Sequence, residues 1–348
     1  MKNNPFNLDF GAKPDLYIPR VQELNKIVDT FKQETPSTHL FMLIGARGTG
    51  KTVLMTEASH RLRDEKGWIH IDLNSESNLL ELLASRLYKD SSVNFSRLKL
   101  DMSIKGIGVS YEKEEKYSNI QVDLDTMIKE LDKKHYRLLI TIDEIFNSKD
   151  IREFTSYYQH CIREKLPVFV LMTGLYKNIR ALQNNRSQTF LRRAPRIELG
   201  PLNELRVANQ YKSVFKVDDK KASIIADQTD GYSYAFQILG YIMYEMGKTE
   251  IDEDVLSEYK INLFEASYEK IWEEMSEGER KLVKTLSEMD GNPEVKDVRD
   301  KAEMDSNTFS TYRDTLVKSG ILSKSVSYGR TGFCLPFFKE FVAMKEFD

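Results

Sequence analysis

Eight consecutive residues, Gly45-Ala46-Arg47-Gly48-Thr49-Gly50-Lys51-Thr52, carry the densest chemistry in the chain. They satisfy G-x-x-x-x-G-K-[ST] at every specified position. Glycines at this spacing let the backbone curl until several N–H groups converge on phosphate oxygens, and a following helix adds its positive end. Lys51 would set a fixed cation on the β and γ oxygens, and the Thr52 hydroxyl would ligate Mg²⁺. An apolar run precedes the motif. Val53, Leu54 and Ala58 begin an apolar helix face directly after it, and Val53 is counted with the binding segment.

A triphosphate site with a metal needs a second half. Leu138-Leu139-Ile140-Thr141-Ile142-Asp143-Glu144 supplies one, an apolar strand that ends in two carboxylates. Asp143 would hold Mg²⁺ through water or the Thr52 hydroxyl, and Glu144 would polarise the attacking water. Such a base separates a hydrolase from a small-molecule kinase, which uses its substrate's own hydroxyl. Thr173 closes the run VFVLMTGL. If that strand lies between those ending before Gly45 and at Asp143, its hydroxyl reaches the γ-phosphate region. Otherwise it satisfies a local backbone group. Arg192 and Arg193 stand just ahead of a further apolar run in FLRRAPRIEL. There an arginine reaches a neighbouring subunit's γ-phosphate in an oligomer, or the pair forms a solvated basic turn.

The elements that must position these residues follow from hydrophobic spacing. Five short apolar runs occupy 39–46, 68–74, 137–144, 167–175 and 196–202, separated by helical patterns. Runs too apolar to have a wet face, alternating with helices, predict a parallel α/β sheet covered on both sides. Residues 98–117 break the rhythm, and their alternation around Gly106 and Gly108 predicts an inserted β-hairpin. The α/β domain is thus bounded at 1–202. Residues 203–276 read as a helical unit, and 277–348 as three helices followed by a terminal hairpin, a winged-helix pattern.

The 348 residues suffice for two or three domains, and 51 Lys and Arg against 54 Asp and Glu exclude a uniformly basic nucleic-acid coat. No run of about 18 apolar residues occurs, and the start has no stretch of signal-peptide length, so a cytoplasmic protein without membrane contact is expected. Cys161 and Cys334 lie far apart, which removes a disulfide framework and a zinc site. Residues 277–348 hold 12 Lys and Arg against 13 Asp and Glu. Ser306, Asn307, Thr308, Thr311 and Arg313 are types that read DNA, with Lys318, Lys324 and Arg330 near the hairpin. Asp300, Glu303, Asp305 and Asp314 beside them would repel it. Double-stranded DNA therefore stays open as a partner, and charge favours a protein partner instead.

With these motifs in place, the chain resembles the AAA+ ATPases of the clade that holds Orc1/Cdc6-like proteins, archaeal-type ATPases and STAND switch NTPases. The resemblance covers about residues 13–348. Tyr17-Ile18-Pro19-Arg20-Val21-Gln22-Glu23-Leu24 is similar to the family's box against the adenine, with Pro19 in place of a Gly, which carries over Ile18 and Arg20. Gly231-Tyr232-Ser233-Tyr234-Ala235-Phe236-Gln237 is similar to the lid motif, usually Gly-Tyr-Pro, with Ser233 replacing the Pro. No Arg follows where many members place a second sensor. The resemblance implies a three-layer αβα sandwich of the ASCE P-loop class with sheet order 5-1-4-3-2, a helical lid and a winged helix. It further implies ATP as the nucleotide, ADP as product, hydrolysis with Mg²⁺, and Arg193 as the arginine offered across a homo-oligomer. A nucleotide-gated switch with little turnover, and a DNA-binding ATPase using its winged helix, are the alternatives.

Overall fold

The computed structural model describes residues 3–8, 14–75, 78–90, 92–95, 113–324 and 329–345. The chain divides into two compact units, each assembled from separate stretches. One comprises Arg20–Ile44 and Leu54–Ile197, the other Met1–Pro19, Gly45–Val53 and Glu198–Asp348.

The first unit is built on a sheet of β1 (Leu40–Ile44), β2 (Trp68–Asn74), β3 (Arg137–Asp143), β4 (Val168–Gly174) and β5 (Arg196–Glu198). Their order is β2-β3-β4-β1-β5, the expected order read from the other edge. β1 pairs parallel with β4, β4 with β3, and β3 with β2. Every residue of β1 and β4 is buried, whereas β2 at the edge alternates between buried and open positions. Those two burial patterns are what the unbroken apolar runs and the spacing of WIHIDLN demand.

Helices cover both faces. Leu79–Lys89, Lys113–Lys133, Lys149–Arg163 and Tyr176–Asn184 send Leu83, Leu124, Phe154 and Ile179 into one core with Ile140, Val170 and Met42. On the other face the helix Val21–Lys32 brings Phe31 to within 5.4 Å of the Phe41 ring and 5.1 Å of Phe169. Asn78 and Ser148 cap two of the helices by accepting N–H bonds from Glu81 and Ile151. Of the hairpin expected over 98–117, residues 98–112 lie outside the described residues. Residues 113–117 instead open the helix Lys113–Lys133, whose first turns are rich in helix-favouring Lys and Glu.

The second unit has its own core. The helices Glu204–Phe215, Asp219–Asp227, Ser233–Glu245 and Glu253–Leu263 enclose Tyr211, Phe236, Leu239 and Tyr259, and the last helix widens into a π turn at Phe264–Tyr268 before Glu269–Glu273. Buried phenols are satisfied by carbonyls: Tyr211 donates to Phe236 at 2.8 Å and Tyr268 to Pro336 at 2.7 Å. The N-terminal segment is tied in through Gln237, which accepts from the Asn7 N–H and donates to the Leu16 carbonyl. Three more helices follow, Glu277–Ser287, Val295–Lys301 and Ser306–Lys318. The terminal strands expected next reduce, among the described residues, to single antiparallel bridges, Leu322 with Phe333 and Glu294 with Arg330. The helix Phe338–Met344 packs Phe338, Phe341 and Val342 into the same core. No helix among the described residues is long and apolar enough to cross a membrane.

Candidate functional site

The chemistry gathers where strands end. Leu43 stands opposite Thr173, Ile44 opposite Gly174, and Ile142 opposite Met172, so β1, β4 and β3 finish side by side. In open α/β sheets that carboxyl edge is where ligands bind. Asp143 is the last residue of β3, and Gly45 is the residue after β1.

Asp143, Glu144 and Thr173 are bonded to one another. The buried Thr173 hydroxyl donates to the Asp143 carboxylate, while its oxygen accepts the Glu144 N–H at 3.0 Å. The same N–H also lies 3.1 Å from Asp143 Oδ1. The Ile145 N–H donates to the Thr173 carbonyl at 2.8 Å. Thr173 thus satisfies a backbone group and at the same time ties the two acidic residues to β4. Glu144 leaves the strand at φ +49° with its side chain exposed. A non-glycine residue in that region stores strain that the surrounding bonds must hold, a common feature of reacting sites.

The loop Gly45–Gly50 curls as the motif requires. Gly48 and Gly50 take φ of +69° and +87°, open to glycine without cost. Lys51 begins the helix Lys51–Arg63, and its buried ammonium donates to the carbonyls of Gly45 at 3.2 Å and Ala46 at 2.8 Å. Thr49 donates to the Ala46 carbonyl at 2.9 Å. The helix carries no acidic residue in its first turn, so its positive end is unopposed there, with Thr52 and Val53 half-buried beside it. Among the described residues no three His, Cys, Asp or Glu side chains cluster as a metal cage. Thr52, in the first turn of that helix, and Asp143, at a strand end, carry the hard oxygen donors that suit Mg²⁺.

Side chains far along the chain hold the curl. Tyr232 donates to the Arg47 carbonyl at 2.8 Å and Ser233 to the Thr49 carbonyl at 3.1 Å. A Cβ at Gly48 would stand 2.4 Å from the Tyr232 oxygen and 2.7 Å from Tyr234 Cβ, so only glycine fits. The Arg47 guanidinium places Nε at 2.8 Å and Nη2 at 2.7 Å from Glu274 Oε1.

The remaining predicted residues are spread wider. Ile18 is buried in the second unit's core, while Arg20 precedes the helix Val21–Lys32 in the first unit, its pKa lowered by burial against a smaller opposing pull from Glu23. Arg192 is tied to the Gln183 carbonyl at 3.1 Å, whereas Arg193 is exposed with no side-chain partner among the described residues. Glu274 and Ser267 are not marked by any sequence motif; Glu274 is found only through its pairing with Arg47.

The chain's likenesses are structural. A Walker-type ATPase of Pyrococcus abyssi superposes with a TM-score of 0.64 at 13% identity, covering 94% of this chain and 96% of that one. The Aeropyrum pernix ORC2 protein, in ADPNP–ADP complexes, gives 0.59 at 12% identity, with 98% of each chain covered. Cdc6p from Pyrobaculum aerophilum gives 0.51 at 14% identity, with 97% of each covered. Residues 265–342 match a family described as a domain of unknown function, DUF8462. No curated protein matches by sequence. The fold is the AAA+ α/β fold.

Proposed function

We propose that this protein binds ATP and hydrolyses it with Mg²⁺ to ADP and phosphate, using the change of nucleotide to drive a conformational or assembly step. The observation that carries the reading is the bonded group Asp143–Glu144–Thr173 at the end of β3 and β4, on the carboxyl edge from which the Gly45–Thr52 curl departs. The backbone amides from Gly45 to Val53 and the Lys51 ammonium bind the phosphate oxygens. Thr52 and Asp143 would hold Mg²⁺, which supplies neutralisation of the phosphate charge. Glu144 orients a water and takes its proton as it attacks the γ-phosphorus, and ADP leaves. Thr173 holds the Asp143 carboxylate and the Glu144 backbone in place. Ile18 and Arg20 serve the adenine side, and Arg193, exposed, serves a neighbouring copy's γ-phosphate in a homo-oligomer.

The terminal module, which we take to be a winged helix, faces a protein partner in this reading. Three of the cations that duplex DNA would need are already engaged. Lys318 pairs with Asp314 at 2.8 Å, Arg330 lies 3.9 Å from Glu294, and Arg313 donates to the Lys324 carbonyl at 2.7 Å. Asp305 is spent capping the helix Ser306–Lys318 and keeps its charge there, its pKa lowered by hydrogen bonding to Thr308. The lid contacts on Arg47 and Thr49 favour a second reading, a slow nucleotide-gated switch, in which turnover resets the state.

Phosphate release separates these. Glu144→Gln should retain ATP and lose at least about a hundredfold in turnover, as expected for a positioned general base. Unchanged release by that variant removes Glu144 from its role. Stimulation of the wild type by duplex DNA would favour the DNA-binding alternative over a protein partner.

A further inference from the structure

The two hydroxyls on the curl do more than fill carbonyl valences. In a trans peptide the C=O and the next residue's N–H point in opposite directions across one rigid plane. The Arg47 carbonyl shares its plane with the Gly48 N–H, and the Thr49 carbonyl with the Gly50 N–H. A hydroxyl holding each oxygen therefore fixes where each amide aims, which is away from Tyr232 and Ser233. Glycine at 48 and 50 gives those planes freedom to rotate, so something must choose their orientation.

We propose that Tyr232 and Ser233 are positioning residues for anion binding, turning the Gly48 and Gly50 amides toward the phosphate side of the curl by holding the Arg47 and Thr49 carbonyls. The inference rests on the nucleotide reading given above and names two further groups for the same site. Four observations support it. The Arg47 carbonyl can only accept, so the Tyr232 proton is spent on it, and the Ser267 hydroxyl 2.8 Å away must donate to the Tyr232 oxygen. That gives a directed relay from Ser267 to Tyr232 to Arg47, both side chains being buried, and hydrogen bonds in such a chain strengthen one another. Ser267 stands in the π turn Phe264–Tyr268, the kind of helix widening that re-aims a functional side chain. Burial raises the Tyr232 pKa, which keeps the phenol a donor at neutral pH. Ser233, the next residue along, holds the Thr49 carbonyl in the same way at 3.1 Å, so adjacent side chains fix both planes.

The test is calorimetric titration of ADP into the full-length wild type, Tyr232→Phe, Ser233→Ala and Ser233→Thr, with inorganic pyrophosphate as a competitor. Phe keeps the ring and removes only the hydroxyl, and Thr restores the donor. Each deletion should weaken ADP roughly threefold to tenfold, the range for one lost hydrogen bond. Pyrophosphate competition should weaken by the same factor, Ser233→Thr should stay within twofold of wild type, and every variant should remain folded at the titration temperature. Equal ADP affinity in all four proteins overturns the inference and leaves the nucleotide reading standing. So does a loss for ADP without a matching loss for pyrophosphate, because the effect then sits away from the phosphates. A wild type that takes up neither ADP nor pyrophosphate removes the nucleotide reading itself, and this inference with it.

Discussion

Asp143, Glu144 and Thr173 stand at the ends of fully or nearly fully buried strands, whereas Gly45–Gly50 is a loop held by side chains 184 to 227 residues further along. The acidic group inherits its geometry from the sheet. Backbone pairing of β3 with β4 and one Thr–Asp–Glu bond set hold it. The phosphate loop inherits its geometry from Tyr232, Ser233 and Glu274. The acidic group and the glycine-rich loop are thus held by different stretches of the chain. Changes in the strand ends should alter turnover with little effect on affinity, and changes at Tyr232, Ser233 or Glu274 should do the reverse.

Among the residues that hold these two regions in place, the largest effect is expected at Thr173. Thr173→Val keeps shape and burial while removing the bonds to Asp143 and Glu144, so kcat should fall by about tenfold to a hundredfold. ADP affinity should stay within about twofold. A variant that loses affinity and keeps turnover would break the division between the two regions. A smaller effect is expected from Arg47 and Glu274, whose side chains are about 30% and 27% exposed. Arg47→Ala and Glu274→Ala should each weaken ADP by about twofold to fourfold, and the double variant no further than the worse single, since partly exposed pairs contribute about 0.2–1 kcal/mol. Additive losses in that cycle would mean that the ion pair does not act as a unit.

The smallest effect concerns acid. His70 on β2 donates from Nε2 to Thr141, whose own proton goes to Asp72, and burial lowers its pKa to about 4 despite the raising pull of Asp72. A depressed histidine is neutral in the folded chain while the unfolded chain takes its proton below about 6.5. Stability is therefore present above that pH and is lost as pH falls toward about 4. Thermal unfolding between pH 7 and 4 should decline by a few degrees more in the wild type than in His70→Gln. Parallel curves would remove His70 from that decline.

Much of the fold was legible because its signals are local. β1, β3 and β4 are unbroken apolar runs, and the residues that end them, Asp143 and Thr173, lie next to the pattern that reveals them. The phosphate loop is eight contiguous residues. What holds the loop was not legible in the same way. Tyr232 and Ser233 belong to a segment similar to a known lid, yet nothing in their neighbourhood says which carbonyls they seek. Ser267 and Glu274 are ordinary helix-surface types, and only the π turn and the folded path bring them to Tyr232 and Arg47. The charged run after residue 112 was absorbed into a hairpin because period-two alternation just before it outweighed its helix-forming Lys and Glu.

The central claim is that the Gly45–Thr52 curl grips a polyphosphate through its amides and the Lys51 ammonium. Equilibrium titration of ATP with Mg²⁺ into the wild type and Lys51→Ala tests it most directly. A saturable one-site isotherm in the wild type, weakened at least about a hundredfold in Lys51→Ala, is the predicted result. Equal isotherms for the two proteins, or none for the wild type, would contradict it.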